Sequence, residues 1–222
     1  PYPTRYTQMA ALATAFEWGR IKGQASVLGY FVHEKVKRFE ARPDKAVATP
    51  AFFLSYKPFH RQDLSVRAFY KRMFRMPTFN DLYYTDMGNA FLKPEYAEQF
   101  NIGLKYTKNF MNMPALRTVD ASVDAYYNHI TDKIIAYPKG QQFRWTMLNL
   151  GEVDIKGVDI ALNSAWAFGE VEATARLQYT YQEAIDVTDP ADTYYRDQIP
   201  YIPWHSGSAV LAVSYKGWGL NY

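Results

Sequence analysis

Cysteine is absent from the 222-residue sequence, which removes both a disulfide framework and a thiolate metal site. No apolar run approaches the roughly 18 residues of a membrane-crossing helix, though a barrel wall crosses lipid in alternating segments that carry no such run. Charge is sparse and balanced: 25 Lys and Arg face 22 Asp and Glu, and the net +3 is too small and too scattered to act as a nucleic-acid footprint. There is no Ser-His-Asp spacing, nucleophile elbow, phosphate-cradling glycine loop or nucleotide fingerprint, so nothing points to an enzyme. The histidines His33, His60, His129 and His205 stand in separate segments without helical spacing, so no metal or other cofactor is expected.

Aromatic residues are abundant instead. Tyr 19, Phe 14 and Trp 5 amount to 17% of the chain, more than an ordinary core uses. The period of the apolar residues is two. Val171, Ala173, Ala175, Leu177, Tyr179 and Tyr181 share one side of a segment whose other side carries Glu172, Thr174, Arg176, Gln178 and Thr180. Similar faces run through Leu64, Val66, Ala68 and Tyr70, through Phe100, Ile102, Leu104 and Tyr106, and through Val119, Ala121, Val123, Ala125 and Tyr127. A less clean one runs through Ala209, Leu211, Val213 and Tyr215, and residues 6–18 and 21–37 read as strands with a blurred pattern. Across Lys156-Gly157 the apolar parity switches from Val153 and Ile155 to Val158, Ile160 and Leu162, which predicts a β-bulge.

Connections alternate in length. Short ones are expected at 19–20, 58–62, 111–116, 168–169 and 217, and longer ones at 38–48, 75–97, 138–142 and 187–204. An up-and-down outer-membrane barrel alternates in this way, with short turns at one end and long loops at the other. The strand directions that follow place Tyr70, Tyr127, Tyr179 and Tyr181 at the loop end of the apolar face, and Tyr106 and Tyr215 at the turn end. Aromatic girdles flanking an apolar band of about 25 Å, crossed by about ten residues of tilted strand, account for this distribution. The core face of a soluble β-sandwich is the competing reading.

The stretch from Phe74 to Tyr106 carries Arg75-Met76-Pro77-Thr78-Phe79-Asn80-Asp81-Leu82-Tyr83, then Gly88-Asn89, Leu92-Lys93-Pro94-Glu95, and Asn101-Ile102-Gly103-Leu104-Lys105-Tyr106. Further landmarks are Asp124-Ala125-Tyr126-Tyr127-Asn128, Asn149-Leu150-Gly151, Lys156-Gly157-Val158-Asp159 and Gln198-Ile199-Pro200-Tyr201-Ile202-Pro203. In this order they resemble the β-barrel part of a TonB-dependent outer-membrane receptor. The resemblance implies a barrel of about 22 strands with a plug inside it, and an N-terminal box that engages the TonB complex for energised uptake. Neither plug nor box is visible. The expected fold is therefore all-β, an antiparallel up-and-down transmembrane β-barrel in part, with about nine strands. Residues 1–222 read as a fragment of the barrel domain.

Function is expected in the long loops, which rigid strands hold toward the medium. Arg75, Asn80, Asp81, Tyr83 and Tyr84 in one loop, and Tyr194, Tyr195, Arg196 and Trp204 around another, combine aromatic faces with directional polar groups. That suits a large, partly planar ligand such as an iron chelate (a siderophore complex) or cobalamin. The alternative role for Arg75 is an ion pair with a wall carboxylate. Phe74-Arg75-Met76-Pro77 and Asn89-Ala90-Phe91-Leu92 approximate two boxes of haem receptors, yet no histidine lies between Arg75 and Asn89. Asp186, Asp189, Asp192 and Asp197 crowd the last long loop, a calcium cluster or, more simply, a solvated acidic loop. The expected partners are the TonB complex, the chelate or cobalamin, and outer-membrane lipid. A soluble secreted ligand-binding β-module and a haem receptor are the alternatives.

Overall fold

Ten strands pair in one antiparallel sheet, ordered as in the sequence from β1 to β10. In a computed structural model that describes residues 2–37, 42–85, 87–139, 144–200 and 202–222, these are β1 (Pro3–Trp18), β2 (Ile21–Val36), β3 (Lys45–Tyr56), β4 (Asp63–Arg75), β5 (Glu95–Asn109), β6 (Leu116–Lys139), β7 (Arg144–Phe168), β8 (Val171–Asp186), β9 (His205–Tyr215) and β10 (Trp218–Asn221). A short helix, α1 (Phe79–Tyr83), interrupts the loop between β4 and β5. Nearest-neighbour antiparallel order puts every short connection at one end and every long one at the other, as the alternating lengths require. The tightest turns join Trp18 to Ile21, Phe168 to Val171 and Tyr215 to Trp218, with Gly19, Gly169 and Gly217 at positive φ, where a two-residue hairpin demands it.

Ten strands stand where about nine were expected. β3 falls between the expected connections at 38–48 and 58–62, although neither of its faces shows a clean alternation because Phe52, Phe53 and Leu54 are consecutive. Two loops are also shorter than expected. β3 already begins at Lys45, and Pro138 pairs with Trp145, which carries β6 and β7 past the expected 138–142 loop. Residues 38–41 and 140–143 of these two loops, and Tyr201, fall outside the described residues.

Register fixes which side chains share a face. Val66, Leu104, Val123, Ile160 and Tyr179 follow one another across five strands, and Phe52, Tyr70, Phe100 and Tyr127 form a continuous row of rings with centroids 4.9–6.4 Å apart. Trp18, Tyr56, Phe168, Tyr215 and Trp218 stand exposed at the turn end of the same face. The opposite face is polar and self-paired. Arg67 reaches Asp124 at 3.0 Å, Thr107 reaches Asp120 at 2.6 Å, Thr180 reaches Asp159 at 2.7 Å, and Arg176 reaches Asn163 at 3.0 Å.

Toward the loop end the two faces exchange character. Arg72, Glu98, His129, Asp154 and Lys156 continue the aromatic face, with Tyr70 donating to Glu98 and Tyr127 to Asp154. Met73, Ala97, Ile130, Val153, Ile155 and Ala184 continue the polar face and bury one another together with Ile199. The expected bulge at Lys156-Gly157 does not exist: β7 pairs without interruption on both sides there, and the register shift involving β6 and β7 lies at Leu116/Thr118. The parity switch in the sequence records this exchange between faces. Gly157 is instead a site of close approach. A Cβ there would lie 2.3 Å from the Tyr126 hydroxyl and 2.7 Å from the Tyr181 carbonyl.

Gly157→Val in the intact protein should therefore lower stability by about 1 to 3 kcal/mol in a denaturant titration, as overpacked sites do. The loss should shrink when Tyr126→Ala is added. An unchanged midpoint would mean that β7 bulges at this point after all.

Candidate functional site

The loop between β4 and β5 is not a free strap. Thr78 and Asp81 form a reciprocal capping box for α1, with N–H to side-chain distances of 3.1 and 2.8 Å, so the helix forms in spite of its five residues. Leu82 and Leu92 are buried against Ile134 of β6, with Phe79, Tyr83 and Met147 around them. The sequence landmarks supply the fastenings. The Asn89 side chain donates to the Met147 carbonyl at 3.1 Å. Asn149 accepts from the Lys93 N–H at 2.8 Å and donates to the carbonyls of Lys93 and Asp132 at 3.1 and 2.7 Å. Glu95 accepts from the Ile134 N–H at 3.0 Å. At its other side the loop meets β1 and the end of the β2–β3 connection. Arg5 donates to the Pro77 carbonyl at 2.6 Å and lies 4.9 Å over the Phe79 ring, while Arg42 donates to the Ala90 carbonyl at 2.8 Å. The loop is thus an arch from β6–β7 to β1–β2 across the apolar end of the inner, otherwise polar face.

The loop between β8 and β9 folds over the same face. Val187 donates to the Glu152 carbonyl at 2.9 Å, Ile199 to Ala184 at 2.8 Å, and Gln198 accepts from the Ala184 N–H at 2.8 Å while donating to Ile202 at 3.0 Å. Asp186, Asp189 and Asp192 accept from the backbone N–H groups of Thr188, Ala191 and Tyr194. The carboxylates thus shape turns, and no group of three or more metal-competent side chains exists among the described residues.

The candidates sort by what they touch. Arg75 sits between Asp81 and Glu95 at 3.3 and 3.4 Å, at the foot of the arch. Tyr83 packs on Phe79 with ring centroids 6.3 Å apart, whereas Asn80 and Tyr84 are exposed. In the other loop Tyr194 and Arg196 are exposed and Tyr195 is half-buried. Trp204 lies against Tyr181 on the aromatic face, with centroids 6.1 Å apart. Among the described residues no hydrogen bond, ion pair or ring contact joins the Arg75 group to the Tyr194 group. Sequence reasoning missed Arg5, Arg42 and Asn149, which hold the arch. Asn149 stood within a landmark, but a bond to a backbone 56 residues away has no local signal. Burial pushes the Arg42 guanidinium below its ordinary pKa, against the opposing pull of Glu34 and Tyr83.

Comparison with known proteins matches residues 14–222 to the family model "TonB dependent receptor-like, beta-barrel". The chain belongs to the TonB-dependent receptor family. Among curated relatives of this receptor barrel, vitamin B12 transporter BtuB of Vibrio vulnificus is 36% identical over 87 residues, covering 39% of this chain and 13% of that protein. BtuB of Photobacterium profundum is 33% identical over 120 residues, or 51% of this chain and 17% of that one. Among solved structures, copper transporter OprC superposes with a TM-score of 0.69 at 16% identity, over 99% of this chain and 34% of its own. The FrpB iron transporter of Neisseria meningitidis (F3-3 variant) gives 0.62 at 16%, over 99% and 32%. At those identities the superpositions speak for the fold alone. The matched stretch spans well under a fifth of the curated relatives and about a third of the solved chains.

In a TonB-dependent receptor barrel the aromatic face of the sheet meets lipid and the polar face lines the lumen. The arch and the β8–β9 loop then lean over the lumen.

If Asn149 fastens the arch, Asn149→Ala should speed hydrogen exchange of the Lys93 amide by about 10- to 100-fold, as hydrogen bonds worth about 1 kcal/mol each are lost. Phe91→Ala, at a side chain 92% exposed, should leave that amide unchanged. Equal exchange in wild type and Asn149→Ala would show that the arch is held elsewhere.

Proposed function

We propose that this barrel belongs to an outer-membrane receptor that imports a metal chelate or cobalamin, by holding it on the lumen-side surfaces of the arch and the β8–β9 loop before TonB-energised passage. The observation that carries the reading is the inward folding of two long loops, each onto its own apolar cluster, at the loop end of a receptor barrel wall. Loops that only shielded the barrel from solvent would need no such pinning to opposite strands. The vitamin B12 transporters among the curated relatives agree with a scarce, metal-containing cargo. In this reading residues 1–222 supply wall and loops, and the plug and TonB-contacting segment belong to other parts of the protein.

Asn80, Tyr84, Tyr194 and Arg196 are exposed members of the candidate set, free of the ion pairs that engage Arg75 and the ring contact that engages Trp204, and meet the ligand. Arg75, Asp81, Tyr83 and Tyr195 frame the surfaces that present them. Haem ligation has less support. His33 pairs with Asp44, His129 with Asp154 and His205 with the Tyr179 hydroxyl, all on strand positions of the lipid-facing side, and His60 sits in a turn at the opposite end from the arch.

Uptake by cells lacking their own receptor tests the proposal. Cells carrying the full receptor should accumulate a ferric chelate or cobalamin only with a working TonB, and Tyr84→Ala should weaken binding of that ligand by about 1 kcal/mol, the worth of one aromatic contact. Arg75→Ala should instead lower the melting temperature, since its ion pairs tie β4 to β5 and α1. TonB-independent accumulation, or none of any chelate or of cobalamin, would refute import.

A further inference from the structure

Where the β2–β3 connection meets the arch, Arg42, Lys45, Met76, Phe91, Leu92 and Pro94 line a recess of about 240 Å³ that none of the candidate residues touches. Two cations are among its lining residues. Arg42 is oriented by its bond to the Ala90 carbonyl, and among the described residues neither Arg42 nor Lys45 forms an ion pair with a carboxylate. Glu34, whose charge Arg42 feels, is bonded through one oxygen to Arg5 at 2.6 Å. Phe91 is 92% exposed, yet its backbone is fixed, because its N–H donates to the Asn89 side chain at 3.0 Å and Asn89 is itself tied to Met147. A solvent-facing phenyl on a pinned backbone offers a stacking surface at small entropic cost.

The volume limits the guest. Pockets that enclose a whole drug-sized ligand run from roughly 300 to 1,000 Å³, so about 240 Å³ admits one substituted ring and not an entire chelate. We propose that the recess binds an aromatic acid, with its ring against Phe91 and Met76 and its carboxylate between Arg42 and Lys45. Resting on the import reading, this acid is an arm of the transported chelate, and the recess selects ligands that carry such an arm. A guanidinium with a second cation beside it suits a planar carboxylate better than a single point charge would.

Salicylate is the probe, titrated calorimetrically into the full receptor in detergent, with benzamide as a neutral ring and inorganic phosphate as a ringless anion. Saturable salicylate binding is expected, weakened about 10-fold by Arg42→Gln and by Lys45→Gln, as befits a charge-assisted hydrogen bond, and several-fold by Phe91→Ala. Benzamide and phosphate should bind far more weakly, and phosphate, which has no ring, should ignore Phe91→Ala. Because Phe91 packs against so little, its truncation leaves folding intact and keeps the test decisive even where a charge variant misfolds. Absence of salicylate binding, binding insensitive to Phe91→Ala, or equal binding of benzamide overturns the proposal. A receptor that imports a chelate but fails this titration loses only the recess. One that passes it but imports nothing loses only the import reading.

Discussion

A bilayer offers no hydrogen-bond partner to a backbone amide, and an unsatisfied pair in hydrocarbon costs several kcal/mol. The rest of this structure follows from that constraint. Each strand from β2 to β9 is paired on both sides, in nearest-neighbour order, with connections at one end cut to two to six residues. Once pairing is obligatory the side chains have one freedom left, which face they occupy, and a period of two decides it. Lipid then takes the aliphatic and aromatic face. The lumen takes the polar one, where Arg67 pairs with Asp124, Thr107 with Asp120, Thr180 with Asp159 and Arg176 with Asn163 across strands.

That division holds only as far as the bilayer does. β6 and β7, at 24 and 25 residues, are far longer than the roughly ten residues that cross an apolar band. Beyond it the outer side meets water and the inner side meets folded loops, so apolar and polar residues trade places without any break in the ladder. Val153, Ile155, Ile130 and Ala184 become a small conventional core, and the loops supply its lid through Ile199 and Ile202. The arch depends on this exchange, since Ile134 and Met147 could not receive Leu82 and Leu92 from a wall that kept its polar lining to the top.

The lipid-spanning half of this design was legible in the sequence because it is periodic. β8 announces itself through six alternating apolar residues, and the alternating connection lengths give the strand directions, with which Tyr106 and Tyr215 against Tyr70 and Tyr127 agree. The parity switch in β7 is visible too, but by itself it predicts a local bulge, because one strand alone does not reveal that its neighbours switch at the same level. The five-residue α1 and the fastenings made by Arg5, Arg42 and Asn149 were not legible, since they join backbone groups 48 to 72 residues apart and follow no period. Arg75 shows the limit for single residues. Its type and place suited either a ligand or a carboxylate, and only coordinates put Asp81 and Glu95 beside it.

The uninterrupted ladder with exchanged faces can be measured along β7. Residues 1–222 contain no cysteine, so, with any cysteine elsewhere in the full receptor replaced by serine, single cysteines at successive positions from Val153 to Trp166 in lipid vesicles can carry a spin label each. Their collision rates with oxygen, enriched in lipid, and with a water-soluble nickel complex then report the surroundings. Even-numbered positions from Val158 to Trp166 should be lipid-accessible, while Lys156 and Asp154 should be open to water and Val153 and Ile155 shielded from both reagents. Alternation should keep one phase from end to end. A phase break of one residue at Lys156-Gly157, with Val153 and Ile155 as exposed to oxygen as Ile160, would contradict the account.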